Sequence, residues 1–106
     1  MAKDKQLLTP PDHHLTERSQ ALWVHLIRTR IRTPERQTLL RIALEDLDRV
    51  DALREVLAAE GVTVISKRSG VPRSHPALRA EAEARSRFFK MWRALALDQE
   101  PSIFDG

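Results

Sequence analysis

Hydrophobic residues recur every three or four positions along most of the chain, which is the spacing of one face of an α-helix. The clearest series lies in the middle of the sequence and comprises Leu40, Leu44, Leu47, Val50, Leu53 and Leu57. Charged residues fill the gaps between them, as expected of a helix that buries one face. The pattern predicts a mainly α protein.

Local start and stop signals divide this pattern into three helices, at about 16–30, 33–60 and 76–97. Thr16 and Thr33 are candidate N-caps. Pro34 and Pro76 stand at first-turn positions, where a proline removes no helical hydrogen bond. Gly61 is placed to end the second helix.

The second helix, with about 27 residues, would be about 40 Å long. We therefore expect helices 2 and 3 to form a long antiparallel hairpin with helix 1 packed across it. The predicted organisation is a flexible N-terminal arm at 1–15, a single helical domain at 16–98 and a C-terminal tail at 99–106.

The connector at 61–75 interrupts the helices with glycine, proline and a β-branched run. It predicts a small β-hairpin in which Val62–Ser66 pairs with Val71–Arg73 and Lys67-Arg68-Ser69-Gly70 forms the exposed tip. Because an isolated two-stranded hairpin is marginal in water, we expect it to lie on the helices or on a neighbouring subunit. His75 is expected to cap helix 3.

Composition adds a reason to expect self-association. The chain has 106 residues, of which only five are aromatic, so one small domain has few large side chains with which to build a core. We expect the bulky residues to be shared between the hairpin core and a neighbouring subunit. Besides the six aliphatic residues of helix 2, these are Trp23, Phe88, Phe89, Trp92 and Leu95.

The absence of cysteine excludes a disulfide framework and thiolate metal ligands. The sequence has no apolar run of about 18 residues that would span a membrane. Its first residues lack the apolar segment of a signal peptide. We therefore expect an intracellular, cytosolic protein.

The net charge of +3 is unevenly distributed. Residues 1–32 carry six basic and three acidic residues, 33–61 carry four and seven, and 62–97 carry eight and two. Such a pattern favours an acidic helix beside a basic one, with a cationic face left for a polyanion, although solubility charge alone also explains it. The candidate nucleic-acid-binding residues, for DNA or RNA, are Lys3, Lys5, Arg28, Arg30, Arg32, Lys67, Arg68 and Arg73.

The sequence offers little support for an enzyme. It lacks the glycine-rich loop that cradles nucleotide phosphates. The adjacent His13 and His14 have diverging side chains, so we predict no metal site and no cofactor. Asp46, Asp48 and Asp51 are expected to lie on a solvated face of helix 2, and no nucleophile–base pair stands out.

A series of short motifs runs through the chain in the order Pro10-Pro11, His14-Leu15-Thr16, Trp23, Thr33-Pro34, Glu60-Gly61, Thr63-Val64, Gly70, His75-Pro76-Ala77-Leu78 and Leu95-Ala96-Leu97. This order, over roughly residues 9–98, resembles the small terminase subunit of tailed double-stranded DNA phages. The connector that leads into His-Pro-Ala-Leu is its most specific element. Two features depart from the family: the very short Ile31-Arg32 link, and a helix 3 end lacking the usual Leu-Gly-Leu-Thr-Pro.

The resemblance implies a non-enzymatic component of phage DNA packaging in the cytoplasm of the bacterial host. Such subunits assemble into homo-oligomeric rings, bind double-stranded viral DNA at the packaging initiation site and regulate the large terminase subunit, which carries the ATPase and nuclease. Two other readings of the residues stay open. One is a helical adaptor that binds a protein partner through the hairpin, and the other is a small DNA-binding transcriptional regulator, for which helix 2 is unusually long.

Overall fold

Three helices joined by short connections make up the part of the chain that the structure, a computed structural model, describes: residues 10–99. In chain order the elements are α1 (Glu17–Thr29), α2 (Pro34–Glu60), β1 (Thr63–Ile65), β2 (Pro72–Ser74) and α3 (Pro76–Ala94). The mainly α fold, with a two-stranded antiparallel sheet between the second and third helices, is confirmed. In this described range no helix is long and apolar enough to cross a membrane.

Each helix begins where a capping side chain is available. The hydroxyl of Thr16 accepts a hydrogen bond from the backbone N–H of Ser19, and Thr33 caps α2 in the same way. Nδ1 of His75 accepts from the backbone N–H of Ala77 at 3.0 Å. These contacts satisfy N–H groups that have no partner within the helix, so the predicted helix starts are confirmed.

Helices α2 and α3 pack along each other as an antiparallel hairpin. Four side-chain contacts join them, at Arg36–Leu95, Asp46–Arg87, Arg54–Glu81 and Glu60–His75. The residue numbers rise along α2 as they fall along α3, so the two helices run in opposite directions over their whole length. Ala77 and Ala84 are buried in this seam, and their small side chains allow a close approach of the two backbones.

The hydrophobic core lies at one end of the hairpin, where α1 covers the first half of α2. Its buried members are Leu15, Trp23, Leu26, Ile27, Ile31, Leu40, Leu44, Leu95 and Leu97. Farther along α2, Leu53 and Leu57 are only half-buried. The molecule is correspondingly elongated, with extents of 65 × 30 × 20 Å and a radius of gyration of 18.1 Å, against about 13 Å for a compact domain of this length.

Helix α3 stops at Ala94, three residues before the predicted end at about Leu97. A turn follows in which Ala96 takes the left-handed conformation, with φ of 58°. The turn directs both Leu95 and Leu97 into the core. A continued helix would have carried these two residues to different faces, so burial of both leucines accounts for the early stop.

The boundary of the predicted arm is also wrong. Leu15 is buried in the core, and Asp12 and His14 contact α2, so residues 10–15 belong to the folded domain. Lys3 and Lys5, and the tail from residue 100 onward, lie outside the described residues.

Candidate nucleic-acid interface

The β1–β2 ribbon, at the end of the hairpin away from the core, is a cationic segment that contains no acidic residue. Its register pairs Thr63 with Ser74, Val64 with Arg73, and Ile65 with Pro72. The ribbon was predicted in the right place, but both strands are three residues long, and the second lies one residue later than predicted. The shift extends the ladder to the residue before the α3 cap.

The loop at the tip of the ribbon is fixed by its own hydrogen bonds. The backbone N–H of Gly70 donates to the carbonyl of Ser66 at 2.8 Å, and Gly70 has a φ of 69°, which favours glycine. The hydroxyl of Ser66 accepts from the N–H groups of Arg68 and Ser69 at 3.3 and 3.4 Å. This loop presents Lys67 and Arg68 to solvent.

The ribbon is tied to both long helices at its base. Nε2 of His75 lies 2.9 Å from a carboxylate oxygen of Glu60, the last residue of α2. The backbone N–H of His75 donates to the carbonyl of Val62. Because Nδ1 of His75 also caps α3, this one residue joins the end of α2, the ribbon and the start of α3, the ribbon through its backbone and the two helices through its side chain.

The charges of the ribbon itself are uniform in sign, and the carboxylate at its base, Glu60, is paired with His75. No acidic residue occurs between Gly61 and Ala80, whereas Lys67, Arg68 and Arg73 all lie in this stretch. Each of these three side chains is exposed, and none forms an ion pair within residues 10–99. Unpaired, exposed cations without neighbouring acids are suited to bind a polyanion.

The second predicted cationic group, at the end of α1, lies near the start of α2 and therefore far from the ribbon. Arg28 and Arg32 are exposed there. Arg30 has another role, because its guanidinium donates to the backbone carbonyls of Ala96 and Gln99 and so holds the turn after α3. Helix α2 separates the two cationic groups by about 40 Å, so they form no continuous patch on one protomer.

The acidic residues of α2 do not form the solvated face that was expected. Asp46 is 7% exposed and lies 3.3 Å from Arg87. Asp48 accepts hydrogen bonds from the backbone N–H and hydroxyl of Thr16 and from the hydroxyl of Ser19. The expectation is therefore wrong for Asp46 and Asp48, because their positions on α2 place them against α3 and α1. Asp51 forms an ion pair with Arg18 of α1, and both side chains are about half exposed.

A cluster that the sequence did not reveal lies where residues 10–15 meet α2. Asp12, His14 and Glu45 each offer one side-chain atom of a kind that can bind a metal ion, and these three atoms lie within 4.8 Å of one another. These groups already have partners, since His14 Nε2 is 2.6 Å from a carboxylate oxygen of Glu45 and a carboxylate oxygen of Asp12 lies 3.8 Å from Nε of Arg41. We assign the cluster the role of holding this segment on α2.

Several large apolar side chains remain exposed outside the core. Leu78 and Phe89 on α3 are 40% and 51% exposed. Phe89 contacts Phe88 edge to face, and the ring centroids of Phe88 and Trp92 lie 4.9 Å apart with the rings tilted by 31°. The predicted packing residues thus fall into two groups: one that builds the core and one, including Phe89, that extends onto the surface.

Comparison with known proteins gives no match for this chain. No family model fits it, and no curated protein or solved structure is significantly similar to it. The likeness to small terminase subunits rests on the order of the sequence motifs.

Proposed function

We propose that this protein is a small terminase subunit: a non-catalytic component of phage DNA packaging in the bacterial cytoplasm. It binds double-stranded DNA at the packaging initiation site, assembles into a homo-oligomeric ring and regulates a large subunit that supplies the ATPase and nuclease. The ribbon, exposed and free of acidic residues, is the observation that carries the proposal. It is supported by the motif order that ends in His75-Pro76-Ala77-Leu78.

DNA binding follows from the chemistry of the ribbon. Each Lys or Arg that meets a phosphate releases counterions, so affinity falls as salt rises. An individual ribbon offers few such contacts, but an oligomer repeats them around one DNA molecule. Arg28 and Arg32 supply a second set of contacts at the opposite end of α2.

Assembly follows from the surface left by the small core. The half-exposed Phe89 and Leu78 gain apolar contacts if a neighbouring protomer covers them. Helix α2 extends beyond the region that α1 covers, which leaves a two-helix hairpin available for lateral packing. In the ring we place α2 and α3 in the wall and the cationic residues toward DNA.

The DNA-binding proposal is tested by reversing the charges at the ribbon tip. We expect the double variant Lys67→Glu, Arg68→Glu to bind duplex DNA at least about tenfold more weakly and to lower the slope of log affinity against log salt by about two. Binding is measured by fluorescence anisotropy between 50 and 200 mM salt, a range in which phosphate contacts are strongly weakened. Lys90→Glu, Arg93→Glu is the matched control, since it makes the same charge change on exposed residues of α3. Equal losses in both variants would show that only net charge matters.

The assembly proposal is tested by light scattering at micromolar protein concentration. We expect an oligomer for the natural sequence and a smaller species for Phe89→Asp or Leu78→Asp, because each places a charge on the surface to be covered. Ala94→Asp is the control, since Ala94 is exposed but lies on the opposite face of α3 from Leu78 and Phe89. A monomeric natural protein would contradict the ring. An oligomer without salt-dependent DNA binding would instead favour the protein-binding adaptor.

A further inference from the structure

The two faces of the ribbon have unequal surroundings. Side chains on a strand alternate between faces, and directly paired residues share a face. On one face Val64 is half-buried beside its partner Arg73. The opposite face carries only exposed residues, Thr63, Ile65, Pro72 and Ser74.

The exposed face has the chemistry of a surface that contacts bases. The hydroxyl groups of Thr63 and Ser74 can each donate and accept a hydrogen bond. Ile65 is 68% exposed, the most exposed large apolar side chain of the described residues. Phosphate binding needs neither feature, whereas hydroxyls suit either kind of base edge and an aliphatic side chain suits the thymine methyl group.

The widths of the two DNA grooves favour the major groove for a two-stranded ribbon. The major groove of B-form DNA is about 12 Å wide and admits a two-stranded ribbon, whereas the minor groove is about 6 Å wide. The major groove of double-stranded RNA is too deep and narrow for side-chain reading. Lys67 and Arg68 at the tip are then positioned to meet the phosphates that border the groove, and Arg73 lies on the face turned away from the base edges.

We propose that the β1–β2 ribbon lies in the DNA major groove, with the face formed by Thr63, Ile65, Pro72 and Ser74 turned toward the base edges. The inference rests on the proposed function, because it takes duplex DNA as the ligand. It adds that the same ribbon contributes sequence preference as well as affinity.

The groove is tested with the full-length protein and duplex DNA treated with dimethyl sulfate, which methylates guanine N7 in the major groove and adenine N3 in the minor groove. We expect guanine methylation to interfere with binding and adenine methylation to leave it unchanged. Interference at adenine alone would overturn the proposal, and so would equal affinity for double-stranded RNA.

Contact between the bases and the face that carries Ile65 is tested with two pools of random duplexes. One pool contains thymine, and the other contains uracil, which lacks only the methyl group. We expect tighter binding to the thymine pool, by up to about fourfold, the effect of one buried methyl group. Ile65→Ala should abolish this preference and leave the salt dependence unchanged. Val62→Ala is the matched control, because Val62 is an exposed aliphatic residue on the other face, 54% exposed, and this variant should keep the preference.

The outcomes separate the two proposals. If the natural protein does not distinguish the pools while Lys67→Glu, Arg68→Glu still weakens binding, base reading is overturned and the phosphate-binding ribbon stands. If that charge-reversed variant binds DNA as well as the natural protein, the ribbon is not a DNA-binding site, and the DNA-binding part of the proposed function fails with it.

Discussion

At the scale of single residues, Asp48 shows how an apparently solvated acid stabilises the fold. It accepts hydrogen bonds from Thr16 and from Ser19, whose side chain is fully buried. We expect Asp48→Ala to lower the free energy of unfolding by about 2–3 kcal/mol, because it removes charge-assisted hydrogen bonds and leaves the Ser19 hydroxyl without that acceptor. Urea unfolding followed by circular dichroism measures the loss.

A matched acid on the same helix provides the control for this prediction. Asp51 pairs with Arg18, but both side chains are about half exposed. We expect Asp51→Ala to change stability by no more than about 1 kcal/mol. Equal urea midpoints for the two variants would contradict the stabilising role of the hydrogen bonds that Asp48 accepts.

At the scale of elements, the spacing between α2 and α3 depends on small residues. Ala84 is fully buried against α2, whereas Ala82, two residues earlier, is exposed. We expect Ala84→Leu to force the helices apart and to destabilise the protein by about 1–3 kcal/mol. Ala82→Leu adds the same atoms in solvent and should stay within about 0.5 kcal/mol of the natural sequence. Thermal unfolding compares them, and a cost shared by both variants would argue against close packing at Ala84.

How well each element could be predicted depends on the range of the interactions that determine it. The starts of α2 and α3 follow from local chemistry at Thr33-Pro34 and His75-Pro76, and local signals were sufficient there. The end of α3 depends on burial of Leu95 and Leu97 in a core built mostly by α1 and α2, which a local pattern does not encode.

The same distinction applies to the candidate site. Exposure of Lys67 and Arg68 was predictable, because a tight turn between two short strands presents its tip to solvent. The bonding of Arg30 to carbonyls beyond α3 was not, since its partners lie more than sixty residues away in sequence. A basic residue at a helix end looks the same in sequence whether it binds a phosphate or a backbone carbonyl.

At the scale of the whole molecule, stability and the candidate function lie at opposite ends. The core is concentrated where α1 covers the first half of α2, and the ribbon projects from the other end of the hairpin. At that end the hairpin consists of α2 and α3 alone, and Leu53 and Leu57 of α2 are only half-buried. A region with few buried apolar contacts opens at a lower free energy than the core, so the ribbon end should be the less stable one until a partner covers it.

Hydrogen exchange measured at two protein concentrations tests both the difference in stability between the two ends of the hairpin and the proposed assembly. At low concentration we expect amides of α2 at 53–60 to exchange faster than those at 40–50, by a factor on the order of ten. At higher concentration the slower exchange should extend to 53–60, since a neighbouring protomer would then order that end. Phe89→Asp should keep the low-concentration pattern and lose its dependence on concentration. Equal exchange along all of α2 at low concentration would contradict the polarised core, and a concentration dependence that Phe89→Asp leaves intact would remove Phe89 from the interface.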